Sequence, residues 1–566
     1  MAFANRLDQE LALENEHRLI GSGVTLGDVD GDGWTDIYLA RLQGPNALYR
    51  NRGNWRFEDV TEVSGAALGD RFSTGATLVD LDGDGDLDLV TTSLGGPDAV
   101  LLNDGAGHFT ELLDAGLAPG LGSSTATLAD VDGDGDLDLY VTAYKAESAS
   151  DVLRMLERPL TDITGGQTDS LVVAPEFRDH YRVEMREGRQ MVVEQADVDR
   201  LYLNDGTGRF EPVSWTGGAF LDEDGRPLER ELDDFGLAAR FYDVDRDGNA
   251  DLYVCNDFDD PDQLWLGRGD GTFRAAPTFA LRTTPHASMS VDFADVDRDG
   301  AVDIFVAEMR TRDHSRWLKH VPFQRRLRKP AGVMEDRPQI QRNTLFLNRG
   351  DRTFAEVGEY AALDASDWTW TSMFLDVDLD GYEDLLVANG YSRDTQHGDV
   401  VDEITSLQGQ ADSRELKRLY PPLPTPNAAF RNRGDLTFAE VGEAWGFGLD
   451  EDISHGMAAG DLDGDGDLDL VVNRLGDPAL LLRNDATAPR VAVRLEGAGG
   501  NTAAVGARVR VAGGEDLPIQ EREISAGGVY LSGSEALVSF AAGAGDLLRV
   551  EVDWPDGGRT VLADVE

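Results

Sequence analysis

Cysteine is almost missing from this chain: Cys255 stands alone among 566 residues, which excludes an intramolecular disulfide framework and any cysteine-rich zinc site. A buried structural thiol is its expected role. Basic residues are scarce too. Lysine and arginine number 51 against 106 acidic residues, a formal charge of −55, and this imbalance argues against nucleic acid or an anionic membrane surface as a partner. No run of about 18 apolar residues exists to span a membrane. Residues 1–20 are broken by Arg6, Asp8, Glu10, Glu14, Glu16 and Arg18, too much charge for the apolar stretch of a signal peptide. If the protein is exported, its leader lies outside this sequence, and a cytosolic location stays open. There is no Gly-x-Ser-x-Gly elbow, no Gly-Lys-Ser/Thr phosphate loop and no His-Glu-x-x-His helix. The familiar hydrolase and nucleotide-binding readings therefore lack support, and no organic cofactor is expected.

What the chain does contain is a repeat. With 41% hydrophobic residues it has the means to pack a core, so the acidity calls for a structural explanation rather than disorder. One loop, Asp-x-Asp-x-Asp-Gly-x-x-Asp, occurs seven times, starting at Asp28, Asp80, Asp130, Asp243, Asp295, Asp376 and Asp461. Where nothing intervenes the starts lie 50 to 52 residues apart, the period of an array built from small β units. Each loop follows a stretch of small residues, such as Ser22-Gly23-Val24-Thr25, and precedes a short apolar run, such as Ile37-Tyr38-Leu39. Further on come turns such as Asn51-Arg52-Gly53, each followed by a Phe-led segment. The pattern predicts four antiparallel strands per repeat, with the small residues on an innermost strand near a central axis. Seven such units predict an all-β, seven-bladed β-propeller over residues 1–485. The last repeat lacks its Phe-led strand, and Phe3 at the start of the chain is the expected substitute that closes the ring. Alternating segments from Arg490 to Leu495 and from Arg508 to Val511 predict a small β-sandwich-like unit over residues 486–566.

The loop has the composition of a site for a hard cation. Calcium takes six to eight oxygen ligands in flexible geometry, whereas magnesium prefers rigid octahedra and keeps its water. Positions one, three, five and nine supply carboxylates, and a glycine at six allows the backbone to present the carbonyl of position seven. In the first copy these are Asp28, Asp30, Asp32 and Asp36, with Trp34 at position seven; in the second and third, Asp80, Asp82, Asp84, Asp86 and Asp88, then Asp130, Asp132, Asp134, Asp136 and Asp138. The fourth has Asp243, Asp245, Asp247, Asn249 and Asp251, and the fifth has Asp295, Asp297, Asp299, Ala301 and Asp303. The sixth and seventh have Asp376, Asp378, Asp380, Tyr382 and Asp384, then Asp461, Asp463, Asp465, Asp467 and Asp469. About seven Ca²⁺ ions are expected, and their binding should stabilise the fold by mass action.

These loops and the strands around them resemble the FG-GAP/VCBS repeats of integrin α-subunit heads. Asn256-Asp257-Phe258, Ala388-Asn389-Gly390-Tyr391 and Asn427 to Asn432 are further similar to bacterial relatives of cartilage acidic protein, which carry a C-terminal ASPIC/UnbV domain. Val505 to Val509, Gln520 to Glu523 and Val552-Asp553-Trp554-Pro555 are the candidate for that domain here. Where the family often has His-Phe-Gly-Leu-Gly, this chain reads Ser539-Phe540-Ala541-Ala542-Gly543.

If the metal turn joins the first and second strands, the link from second to third strand lies on the other face. All three long insertions, about 144–198, 309–342 and 391–426, fall in that link, so they crowd one face opposite the metals. Binding or chemistry on a rigid scaffold usually sits in such loops. Tyr391, Arg393, His397, His314, Arg316, Trp317 and His320 lie there, a mixture suited to an anionic or sugar-like ligand, although each taken singly also reads as solvated loop. A second candidate region is the channel, where the residue three before each loop is Thr25, Thr77, Thr127, Arg240, Asp292, Met373 or Ala458. Arg240 and Asp292 are placed to pair between neighbouring blades, and Trp370 and His455 stand six residues before their loops. A structural ion pair competes there with a ligand or catalytic pocket. Three functions follow: a calcium-dependent recognition or adhesion protein, extracellular or periplasmic, with a protein or carbohydrate ligand; a propeller enzyme of the polysaccharide lyase or natural-product biosynthetic kind; or a purely structural unit. The first is preferred, as the integrin-like resemblance implies, and an exported location is expected because calcium modules of modest affinity fill outside the cytosol.

Overall fold

A computed structural model describes residues 3–148, 164–165, 171–186, 189–258, 260–320, 337–407, 410–513, 517–543 and 547–565. Parts of the first and second insertions lie outside them. Each repeat forms an antiparallel meander. The first runs through Val24–Gly27, Asp36–Leu39, Ala47–Asn51 and Phe57–Asp59, and the second through Ser73–Val79, Asp88–Ser93, Ala99–Leu102 and Thr110–Glu111. Among the described residues seven such sheets occur, and their inner strands touch one another in a closed cycle, the seventh (Ser454–Gly460) meeting the first. Large side chains fill the spaces between neighbouring sheets, as where Tyr38, Leu48, Leu89 and Phe109 pack between the first two. The chain is thus an all-β propeller.

Ring closure uses the N-terminus. The seventh sheet has three strands, ending in Leu480–Leu482. Ala4 bridges Pro478 and Asn5 bridges Leu475. Phe3, 1% exposed, fills the core between the last and first sheets with Val24, Ala458 and Val471. The contact is two isolated bridges rather than a full fourth strand.

The C-terminal region folds into two sheets, one pairing Arg490–Arg494 with Leu537–Ala541 and the other ordered Gln520–Glu523, Arg508–Ala512, Leu548–Asp553, Arg559–Val565. They enclose their own core around Val509, Val511, Phe540 and Val550. Sequence reading did not foresee what lies between these strands. Residues 526–535 enter the propeller channel as a hairpin. Ala526–Gly527 pairs with Leu128 and Thr127 of the third inner strand, Gly528 N–H donates to the Ala126 carbonyl at 2.9 Å, and Ala76 N–H donates to the Leu531 carbonyl at 3.0 Å. The returning arm exchanges hydrogen bonds with the first inner strand, Gly533 N–H to Val24 and Leu26 N–H to Gly533, both 3.1 Å. At the tip Tyr530 is fully buried and its hydroxyl donates to the Ile20 carbonyl at 2.8 Å.

This hairpin gives the small residues of the inner strands a physical reason beyond crowding at the axis. A Cβ on Gly23 would sit 1.6 Å from the Leu531 carbonyl oxygen, and one on Gly456 would sit 2.5 Å from Ser532 Oγ. The channel is a packed core with unpaired inner edges, and the hairpin satisfies those edges. Replacing Tyr530 with Ala should cost about 3–5 kcal/mol, the range for a buried aromatic, whereas Tyr530→Phe should cost about 1 kcal/mol for one hydrogen bond. Denaturant melts of the two variants check this; equal and negligible losses would mean that the hairpin does not hold the ring.

Candidate functional site

The repeated loops are built alike. The first aspartate accepts from the backbone N–H groups of positions five and six, Asp32 at 3.2 Å and Gly33 at 2.7 Å in the first copy. The fifth accepts from the N–H of position seven in every copy, from Trp34 at 3.1 Å to Asp467 at 3.2 Å. Position six has φ between 87° and 98° throughout, a conformation open to glycine and costly for other residues. The ninth aspartate is buried under the loop and binds backbone with both oxygens: Asp36 accepts from Val29 N–H at 3.1 Å and from Asn51 N–H at 2.7 Å.

Among the described residues, carboxylate oxygens gather in threes within 4.8 Å of one another, as in Asp28, Asp30 and Asp32; Asp80, Asp82 and Asp88; Asp130, Asp132 and Asp138; Asp243, Asp245 and Asp251; and Asp295, Asp297 and Asp299. Burial, with the neighbouring carboxylates adding to it, pushes the ninth aspartates Asp36, Asp88, Asp138 and Asp469 up to about 7 and Asp384 to about 9. Asp245 Oδ1, Asp378 Oδ1 and Asp463 Oδ1, all at position three, are buried without a hydrogen-bond partner. The other oxygen of each is held, by Arg352 at 2.9 Å, Arg431 at 2.5 Å and Trp55 Nε1 at 3.1 Å. Orphaned buried oxygens in crowded carboxylate clusters are what a bound cation would satisfy. These groups could hold a metal.

The channel candidates separate into two pairs. Arg240 meets Asp292 at 2.5 Å, and Asp292 also accepts from Phe374 N–H at 2.6 Å while Arg240 donates to Ser525 Oγ at 2.9 Å. The pair joins three neighbouring sheets to the C-terminal region, and Arg522 to Ser525 and Ser534 to Leu537 line the space above it. At the opposite end Trp370 packs on His455 with ring centroids 4.9 Å apart and on Tyr530 at 5.5 Å. His455 is fully buried, and burial pushes it down to about 3 against a small upward effect of the Leu19 backbone.

Above Trp370 opens a cavity of about 330 Å³. Tyr144, Met309 and Tyr391, which open the three long connections, all line it, together with Trp368, Arg393 and Lys417. Trp368 and Tyr391 stack with centroids 4.3 Å apart. Asp257 also lines it, accepts from the Tyr144 hydroxyl at 2.9 Å and is pushed by burial to about 6. Sequence reasoning found Trp370, Tyr391 and Arg393 but missed the N-terminal wall. The helix Gln9–Glu14 and the turn Glu16–Ile20 supply Leu13, Glu16 and His17. Burial raises Glu16, but the Lys417 ammonium 3.0 Å away and His17 outweigh it and leave the carboxyl below its usual range. His17 is lowered by burial. His314, Arg316 and Trp317 form a short helix outside the cavity wall, over which Arg310 packs on the Trp317 ring.

The chain matches the FG-GAP-like repeat over residues 28–91, 80–141, 243–306, 336–387 and 422–472, and the ASPIC and UnbV domain over 497–566. It carries FG-GAP-like repeats. Mouse cartilage acidic protein 1 is 32% identical over 82 residues, which is 14% of this chain and 13% of that protein. Solved structures to which the chain has low similarity include an Agrocybe aegerita lectin that recognises non-reducing terminal N-acetylglucosamine (15% identity, TM-score 0.37, 82% of this chain and 94% of that one) and the lectin BP39L of Burkholderia pseudomallei (9% identity, TM-score 0.36, 97% and 100%).

In this chain the ASPIC and UnbV domain sits on the acidic loops of the FG-GAP-like repeats. Arg508 donates to Asp243 at 2.7 Å, Arg490 reaches Asp465 at 2.8 Å and Asp467 at 3.1 Å, and Thr502 donates to Asp80 at 2.7 Å. That face is covered, and the aromatic cavity is at the other. Burial of neutral His455 has a pH signature. Its folded value of about 3 lies below the unfolded value near 6.5, so the unfolded chain binds the extra proton and the wild type loses stability as pH falls from about 6.5 towards 3. Relative to His455→Gln, the loss should approach about 1.4 kcal/mol per pH unit in that window. Paired melts at pH 7 and pH 5 check it, and a pH-independent difference would show His455 to be hydrated.

Proposed function

We propose that this chain is a calcium-stabilised extracellular or periplasmic recognition protein that binds its ligand in the aromatic cavity on the insertion-bearing face. One observation carries the reading: all three long connections and the N-terminal helix converge on a single cavity, while the metal-loop face is occupied by the chain's own C-terminal sheets. Stacked aromatic walls with a few placed polar groups suit a small ring-bearing ligand or the end of a carbohydrate chain. Arg393 adds positive charge to a strongly acidic protein, which favours an anionic group on that ligand. Calcium in the repeated loops fixes the scaffold from which these connections project.

A second reading, an enzyme at the same cavity, is favoured by Asp257 at about 6 and Glu308 at about 8, both raised by burial and Glu308 further by Asp257. Two carboxyls shifted towards neutrality near one cavity are suited to proton transfer.

Two measurements test the proposal. Chelation of the purified chain should lower its melting temperature by more than about 10 °C, since several sites each linked at about 2–3 kcal/mol act together; an unchanged melt removes calcium from the account. A glycan array probed with the calcium-loaded chain should give hits that vanish in the Tyr391→Ala, Arg393→Ala double variant. Hits that survive it place recognition elsewhere, and hits consumed during incubation move the reading to the enzyme.

A further inference from the structure

Two segments of the insertion-bearing face meet beside the cavity. Gly398 N–H donates to the Lys319 carbonyl at 2.9 Å, fixing the end of one insertion against the start of another. Next to this bond stand His320, Asp394 and His397. His320 and Asp394 are 5% and 3% exposed. His320 Nε2 lies 3.9 Å from Asp394 Oδ1, too far for a hydrogen bond. His320 Nε2, Asp394 Oδ1 and His397 Nδ1 are each buried with no hydrogen-bond partner among the described residues. The two imidazoles interact electrostatically, and burial lowers the proton affinity of His320 against the opposing pull of Asp394. His397 is held in place by its own backbone, which accepts from Val400 and Val401 at 3.0 Å each and donates to the Asp394 carbonyl at 3.2 Å.

Buried polar atoms without partners are rare and call for a ligand. Here three of them belong to residue types that ligate metals, and they are gathered from separate parts of the chain. We infer that His320, Asp394 and His397 form a site for a first-row transition dication of the zinc class, chemically distinct from the all-oxygen loops. Two imidazoles and one carboxylate select such borderline ions over calcium, and three protein donors leave at least one position for water or a ligand. The nearby guanidinium groups do not oppose it strongly. Arg312 and Arg316 lie 2.8 Å and 3.5 Å from Asp367, and Arg312 also pairs with Glu440, so two carboxylates match the two guanidinium charges. An ion here would tie the second insertion to the third and stiffen the region bearing Arg393, Thr395 and Gln396, all of which line the cavity.

The test uses the full chain, stripped by chelation and then loaded with excess Ca²⁺ so that the aspartate loops are filled. Titration with Co²⁺ should show one equivalent with visible ligand-field bands, displaced by one equivalent of Zn²⁺. His320→Ala and His397→Ala should each weaken binding by at least about tenfold, as loss of a direct ligand exceeds the 10–100-fold scale of outer-shell partners. The double variant should lose the bands while its calcium-form melt stays within a few degrees of wild type. No Co²⁺ equivalent in the calcium-loaded chain, or binding unchanged in the double variant, overturns the assignment.

Discussion

The ninth aspartate of each repeat is the group on which the architecture depends. One of its oxygens accepts the N–H of loop position two, the other accepts an N–H from the third strand of the same blade, and every copy does both: Asp36, Asp88, Asp138, Asp251, Asp303, Asp384 and Asp469. The carbonyl of that same position two then accepts from the next blade. Asn103 donates to Val29, Asn204 to Leu81, Asn348 to Val244, Asn432 to Val296, Asn484 to Val377 and Asn51 to Leu462. The fourth blade has Gly267 in place of asparagine, and there Gly271 N–H supplies the bond to Val131 at 2.9 Å. Loop conformation, strand register and blade-to-blade contact are therefore one connected network. A charged group that is buried and fully used by backbone is costly to keep unless a cation shares its field.

That network explains why the two faces do different work. The face bearing the acidic loops presents a ring of turns with carboxylates, and the C-terminal sheets contact it with arginines, a hydroxyl and the channel hairpin. The hairpin reaches through to Trp370, so the floor of the aromatic cavity is set partly by residues more than 500 positions from the N-terminal turn they touch. The walls come from long connections outside the four-stranded sheets, tied to the ring by short pairings such as Thr284–Pro285 with Gln339–Ile340 and Thr425–Pro426 with Glu451–Asp452. Rigid floor and variable walls are the usual arrangement for a binding site on a scaffold.

The parts of this architecture that were legible in the sequence are those encoded locally. Asp-x-Asp-x-Asp-Gly-x-x-Asp, its following apolar run and the Asn-x-Gly turn fall within about 50 residues, so period and alternation reveal them. Tyr391 and Arg393 were found because strand order assigns loops to a face, and Trp370 because it stands six residues before its loop on an inner strand. The hairpin was hidden because Gly527 to Ser534 carries no periodicity; its partners are glycines and threonines whose smallness also fits an empty, crowded axis. Glu16 and His17 were hidden for a similar reason, since a short amphipathic helix at a chain start looks the same whether it caps a cavity or a core.

The guanidinium groups on the loops show that the seven repeats are not electrostatically equivalent. Arg508 shares Asp243, Arg490 shares Asp465 and Asp467, and Arg431 shares Asp378 and Asp380. Among the described residues no guanidinium pairs with a loop carboxylate of the second, third or fifth repeat. A dication entering the second and third loops meets carboxylates without a guanidinium partner; in the fifth the Arg298 charge already acts on Asp295, and in the fourth, sixth and seventh a dication must share oxygens with an arginine already in place. Two of the arginines in question come from the C-terminal sheets, so cation binding at the fourth and seventh loops and docking of those sheets draw on the same carboxylates. The surplus of acid leaves room for both: in the seventh loop Arg490 takes oxygens of Asp465 and Asp467, while Asp461 and Asp463 stand outside that pairing.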